Sequence, residues 1–129
     1  MTDIIEQTRA VLLADPTVSG MVGGERIYPS IAAQGVDGAF LVLTVIDGDQ
    51  VITHDGPIDL HNPTVQIDAY AVRYADMAAL FKAVKDLLNG KSAPGVQGYF
   101  LVRQRDMYDN DAKLNRRSAD FNAWNKEDA

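Results

Sequence analysis

The chain has 129 residues, 47% hydrophobic and 23% charged, which favours one globular domain over residues 1–129 and excludes extensive disorder. It has no cysteine, which excludes disulfides and thiolate metal sites, and its net charge of −6 opposes sequence-independent binding of nucleic acid. The acidic start shows no export signal, and no apolar run approaches the ~20 residues that cross a bilayer. We therefore expect synthesis in the cytosol and no membrane insertion.

The N-terminal third of the chain predicts one helix and two short strands. Apolar residues recur at helical spacing over residues 3–14, and the helix should end before Asp15-Pro16 because a residue that precedes proline avoids helical ψ. A short apolar turn follows at residues 18–22. Residues 26–28 predict a strand, residues 30–38 a loop, and residues 40–46, rich in aliphatic and β-branched side chains, a second strand.

Residues 48–63 predict a long loop. The turn signal Asp47-Gly48-Asp49 opens this stretch and Asp55-Gly56-Pro57 lies within it, and loops of such length are usually functional or disordered. It also carries four aliphatic residues that a solvated loop does not need: Val51, Ile52, Ile58 and Leu60. We expect the loop to be mobile in the free protein and to order against a partner, with these four side chains as its anchors.

The remainder predicts one helix and three strands. Residues 64–72 alternate as a one-sided strand, residues 75–89 carry a wide apolar stripe, and residues 99–107 and 116–124 form two strands around a polar hairpin loop. Phe121 and Trp124 should close the core or an interface, with Trp124 the larger loss on truncation, and residues 125–129 should fray. The predicted fold is α+β in the order α-β-β-β-α-β-β, a largely antiparallel or mixed sheet with two helices on one face.

Site chemistry finds little support in the sequence. The cluster of His54, Asp55, Asp59 and His61 has no known metal-ligand spacing, and the acidic residues at 106–111 lack the glycine and glutamate of a calcium loop. No serine has the setting of an activated nucleophile, and no phosphate-binding loop is present. The sequence therefore predicts no metal, no cofactor and no catalytic residue.

One basic cluster stands out near the C-terminus, and it has two interpretations. In the first, the arginines lie on a solvated sheet face and pair with Asp106 and Asp120 of the same chain. In the second, they contact acidic residues of a neighbouring subunit, a role that suits the guanidinium group. The cluster comprises Arg103, Arg105, Arg116 and Arg117.

A series of motifs, in this order and over nearly the whole chain, resembles the tail-completion family of long-tailed phages and gene transfer agents, whose members are also called tail terminators or head–tail joining proteins. The matching segments are Leu12-Leu13-Ala14-Asp15, then VGGERIYP from Val22, Asp55-Gly56-Pro57, VQIDAYA from Val65, Arg105-Asp106-Met107-Tyr108 and RRSADFNAW from Arg116.

The resemblance implies a structural virion assembly protein with no catalytic residue and no cofactor. It implies a homohexameric ring that caps the completed tail tube and docks it to the head connector, with DNA as a passenger through the lumen and no membrane partner. Assembly would occur in the host cytoplasm and the final place would be the head–tail interface of the virion. Two alternatives remain open: a small oligomeric α+β enzyme acting on a small molecule or nucleotide, and a regulatory binding module.

Overall fold

The computed structural model describes residues 4–29, 38–53, 56–92 and 96–126, and for 47–53, 56–62, 97 and 125–126 it describes the backbone only. Within these residues three helices accompany a five-stranded sheet, so the α+β prediction is confirmed. In chain order the elements are α1 Ile4–Ala14, α2 Pro16–Met21, β1 Ile27–Pro29, β2 Phe40–Thr53, β3 Gly56–Ala71, α3 Tyr74–Leu88, β4 Val96–Asp109 and β5 Leu114–Lys126.

The sheet is mixed, with the strand order β1-β2-β3-β5-β4. Only β1 and β2 are parallel, and the other neighbours form antiparallel ladders. Residues 125 and 126, expected to fray, instead pair with β3 and so continue β5. The polar turn between β4 and β5 is held by Asp109, whose Oδ1 accepts hydrogen bonds from the backbone N–H groups of Asp111 and Ala112, both at 3.0 Å.

The predicted apolar turn at residues 18–22 contains most of a short helix, α2. Asp15 caps it by accepting a hydrogen bond from the Val18 N–H at 3.0 Å, and Pro16 occupies its first turn, where no N–H is needed. Its six residues are too few to show a helical period, so the sequence pattern indicates only a turn.

The predicted loop at residues 48–63 is wrong as a description of the backbone. β2 and β3 run through it as one long antiparallel hairpin, with the pairing Asp49↔Asn62 near its middle and Thr53↔Gly56 as its last pair. Two register shifts, between Val45 and Asp47 and between Gln50 and Ile52, interrupt the ladder. A bulge of this kind places an extra, unpaired residue in one strand, so the strand can continue past residues that signal a turn.

One face of the sheet packs against the helices and forms the core. Alternate strand residues, among them Leu43, Ile67 and Phe121, join the buried sides of α1 and α3 in a single apolar cluster. The Tyr99 hydroxyl, wholly buried on this face, lies 2.8 Å from the Thr8 hydroxyl of α1. No helix in the described residues is long and apolar enough to span a membrane.

Candidate interface

The sheet face away from the helices, here called the open face, carries a polar row across four strands. The ladders place Val42, Asp68, Ser118 and Arg105 side by side on β2, β3, β5 and β4. The first three are buried although they lie opposite the helices, whereas Arg105 is exposed. The middle of the open face is therefore closed to solvent, whereas its β4 side is exposed.

Two aspartates on this face are almost completely buried, and each pairs with an arginine. Asp68 Oδ2 lies 3.2 Å from Arg116 Nη2 and accepts a hydrogen bond from Gln66 at 2.9 Å. Asp120 Oδ2 lies 3.2 Å from Arg103 Nε. The two carboxyl side chains are only 4% and 6% exposed, so each ion pair is shielded on its acidic side.

Four buried polar atoms of this network have no hydrogen-bond partner among the described protein atoms: Asp68 Oδ1, Asp120 Oδ1, Ser118 Oγ and Arg116 Nε. A buried polar atom without a partner costs free energy. Water molecules or polar groups of another molecule that hydrogen-bond to these four atoms would therefore stabilise this face.

An aromatic group borders the network at one end. The rings of Phe40 and Tyr70 stack with centroids 4.7 Å apart, and the edge of Tyr28 meets Phe40 at 6.0 Å. The guanidinium of Arg116 lies 5.5 Å from the Tyr70 centroid, so this arginine is held by a ring and by Asp68 together. Burial raises the pKa of the Tyr70 hydroxyl, although Arg116 opposes the shift.

Arg117 lies on the helix side and so is separated from the other three arginines. Its Nε is 2.6 Å from Asp106 Oδ1, its Nη2 is 2.9 Å from the Tyr74 hydroxyl, and its guanidinium lies 5.3 Å from the Phe81 ring centroid. The hydrogen bond from Arg117 lowers the pKa of the Asp106 carboxyl. This arginine ties the β4–β5 hairpin to α3.

The salt bridges bear on the two interpretations of the basic cluster. Arg103 and Arg117 pair with Asp120 and Asp106 of their own chain, the carboxylates that the first interpretation named, although Arg117 lies on the helix side and not on the solvated face. Arg105 is exposed and, within the described part of the chain, has no ion-pair partner. A subunit contact through these arginines remains a prediction, and Arg105 is the member that is free to make one.

The four aliphatic residues lie within the β2–β3 hairpin, and two of them have a strand partner. Ile52 faces Pro57, Leu60 faces Lys126, Val51 lies at the second register shift and Ile58 lies on the β3 arm. Their side chains fall outside what the structure describes, so their role as anchors remains a prediction.

Exposed apolar side chains on β4 and β2, which the sequence does not predict, lie toward the two borders of the sheet. Phe100, Val102, Met107 and Tyr108 lie on β4, and Val45 and Ile46 lie at the first register shift of β2. In the sequence these residues belong to strands predicted from their composition, and only the strand order reveals that both strands leave part of a border unpaired.

An open depression of about 370 Å³ lies between α2, α3 and the start of β2, and it is lined by Met21, Gly38, Ala39, Ala71, Val72, Asp76 and Ala79. Asp76 is its one charged residue, so the depression lacks the convergent polar groups that bind a substrate. The described residues contain no group of three or more His, Asp or Glu side chains placed to hold a metal ion. His54 and Asp55 lie outside those residues.

Comparison with known proteins gives one family and one fold. The family described as Tail completion protein gp17 matches residues 6–126. Among solved structures, a chain of "Virion of native gene transfer agent (GTA) particle" matches with a TM-score of 0.75 and 20% identity, over 96% of this chain and 95% of that one. At that identity the similarity supports the fold alone. No curated protein matches the chain.

Proposed function

Because the chain belongs to the Tail completion protein gp17 family, we propose that it closes the finished tail tube as a ring of identical subunits and joins the tube to the head connector. The match over residues 6–126 is the observation that carries this proposal, since it includes every strand, α2, α3 and most of α1.

Family membership also confirms two predictions directly. The protein is a structural component of a virion tail, and it is not an enzyme. The gene transfer agent chain of the same fold is part of a virion, which accords with this place for the protein. The resemblance to the tail-completion family is likewise confirmed.

The charge of the chain suits a ring through which DNA passes. At −6 per subunit, an assembled ring has a strongly negative total charge. Negative surfaces repel phosphate, and counterion release, which drives nonspecific DNA binding, needs basic contacts. Of the four clustered arginines, Arg103, Arg116 and Arg117 are neutralised by carboxylates of their own chain. DNA therefore passes through the ring without binding to it.

The surface supports assembly through protein contacts. The borders of the sheet expose six large apolar side chains, and the open face buries polar atoms that have no partner in the described chain. Exposed apolar clusters of this kind mark contact surfaces in soluble proteins. The proposed neighbours are further copies of the chain, the tail tube protein and the head connector.

A null mutation in the genome that produces the particles tests the proposal. We expect electron micrographs to show full heads and separate tails, with tails of irregular length at the end that normally meets the head. Expression of the wild-type chain from a plasmid should restore joined particles. Normal particles in the null strain, or a gold-labelled protein found at the distal tip of the tail, would rule the proposal out.

A further inference from the structure

We propose that the ring is held by strand addition: the free border of β4 in one copy pairs with the free border of β2 in the next copy, so that the sheets continue from subunit to subunit. The inference rests on the ring of the proposed function and names the surfaces that build it.

The free border of β4 extends from residue 102 to residue 109. Before it, the segment after α3 covers the strand, through a hydrogen bond from Gly90 N–H to the Tyr99 carbonyl at 2.7 Å and one from Tyr99 N–H to the Lys91 carbonyl at 3.0 Å. The Leu101 N–H likewise donates to Asn89 Oδ1 at 2.9 Å. Beyond Leu101 no described segment covers this side, and all residues from 102 to 109 are exposed.

The free border of β2 lies on the opposite side of the sheet. β1 pairs only with Leu41–Leu43, and beyond Leu43 no described strand pairs with this side of β2. Val45 and Ile46, at the point where β1 has ended, are 43% and 48% exposed. The residues that follow continue β2 as far as Thr53.

Both borders have the properties of strands that pair with another chain. An unpaired border presents a row of backbone N–H and C=O groups, and monomeric proteins shield it with charged side chains (above all lysine), proline, β-bulges or a covering segment. Neither residues 102–109 nor residues 44–53 contain lysine or proline. Val102, the most exposed apolar residue of β4 at 57%, lies at a register shift, as Val45 and Ile46 do on β2.

The occupant of each border is a second copy of the chain because the two borders are different and complementary. The β4 border carries two arginines and two aspartates, of which Arg103 and Asp106 each have an ion-pair partner elsewhere in the described chain and Arg105 does not. The β2 border has no basic residue and contains Asp47 and Asp49 in its sequence, so Arg105 is the group that an acidic β2 border complements. A contact between two different surfaces of one chain is heterologous, and heterologous contacts form a ring when the rotation between neighbouring copies closes. Each copy uses each border once, so a closed ring leaves neither free.

The test uses Val102→Lys for the β4 border and Val45→Lys for the β2 border, with Val72→Lys as the matched control. Val72 is 69% exposed and lies between β3 and α3, so it belongs to neither border strand. All three changes add one charge at an exposed valine, so the monomer should remain folded by circular dichroism. Sedimentation equilibrium then measures association of each protein alone and of the two border variants mixed in equal amounts.

We expect each border variant to associate at least about tenfold more weakly than wild type, as disruption of a contact centre does, and the control to associate as wild type does. The equal mixture should form one-to-one dimers, because V102K retains an intact β2 border and V45K an intact β4 border. Folded border variants that assemble like wild type, or a mixture that stays monomeric, would overturn strand addition and leave the ring intact. A wild-type chain that shows only monomer mass, both free and bound to tail tubes, would overturn the ring itself.

Discussion

The buried hydrogen bond between Thr8 and Tyr99 should show strong coupling in a double-mutant cycle. It joins α1 to β4, the strand whose outer half is proposed to pair with the next subunit. Both side chains are 0% exposed and their hydroxyl oxygens lie 2.8 Å apart. Thr8→Val and Tyr99→Phe each remove one hydroxyl with little change of shape and leave the other hydroxyl buried without its partner.

The expected magnitudes follow from that burial. A buried polar group that loses its partner costs about 1–3 kcal/mol, whereas replacement of both partners by apolar groups of the same shape is nearly neutral. Each single variant should therefore lose about 1–3 kcal/mol of unfolding free energy. The double variant should lose less than the two single losses added together, and the difference is the coupling energy.

Urea unfolding at pH 7 measures all four proteins, and Tyr108→Phe is the control because Tyr108 is 52% exposed. Losses that simply add would refute the hydrogen bond. A pH series gives a second readout. Burial raises the pKa of the Tyr99 hydroxyl above its ordinary value of 10.0, so its stabilising contribution is complete below that pH and is lost as the pH rises through the folded value. The fall in stability at alkaline pH should be shallower in Tyr99→Phe.

Two further predictions concern stability. Phe121 is wholly buried, whereas Trp124 is half-buried on the open face. In thermal unfolding, Phe121→Ala should therefore lose about 3–5 kcal/mol of unfolding free energy and Trp124→Ala less. This reverses the order expected from the sequence. A larger loss of unfolding free energy for Trp124→Ala would contradict the placement of β5. The hydrogen bond from Arg117 lowers the pKa of Asp106 below 3.8, so the contribution of this pair is present above that pH and is lost as the pH falls through the folded value. Unfolding between pH 2 and 5 should therefore be less acid-dependent in Asp106→Asn, by under about 1 kcal/mol because the carboxyl is 44% exposed. An unchanged acid dependence would contradict the pairing.

Local periodicity was enough to predict the two longer helices. The expected ranges, 3–14 and 75–89, differ by one residue at the ends from α1 Ile4–Ala14 and α3 Tyr74–Leu88. An amphipathic helix shows its buried side in a single stretch of sequence, because residues three and four apart share a face. The centres of the strands were predicted for the same reason, since alternation is equally local.

The parts that depend on pairing were not predictable from one stretch of sequence. Asp47 and Gly48 signal a turn, yet the β2–β3 hairpin continues past them because a register shift accommodates the extra residue. Asp68 and Arg116 are 48 positions apart and meet only through the β3–β5 ladder. The neighbouring arginines 116 and 117 differ in role because successive strand residues point to opposite faces of the sheet.

The last prediction concerns the hairpin formed by the outer parts of β2 and β3. We expect it to contact a neighbouring subunit or the tail tube through Val51, Ile52, Ile58 and Leu60. Among the described side chains, the helix-packed cluster draws on β2 at Leu41 and Leu43 and on β3 from Val65 onward. We expect a variant with serine at all four positions to keep this cluster. Its particles should show aberrant or detached tails.

Because this segment is a paired β-hairpin and not a loop, the serine variant alone does not distinguish the loss of apolar contacts from the loss of strand stability. Serine removes the apolar side chains and also weakens the strands, since β-branched residues favour strand backbone by up to ~1 kcal/mol each. A second variant, with threonine at the same four positions, keeps a β-branched side chain at positions 51, 52 and 58, introduces one at position 60, and loses the apolar anchors. Electron microscopy of particles and thermal unfolding of the purified proteins are compared for both.

Aberrant tails in both variants, with near wild-type stability, would support apolar contacts to a neighbour. Defects confined to the serine variant would show that the hairpin's own stability is what matters. Normal infectious particles from both would refute the contact, and unfolding of both would place these side chains in the core.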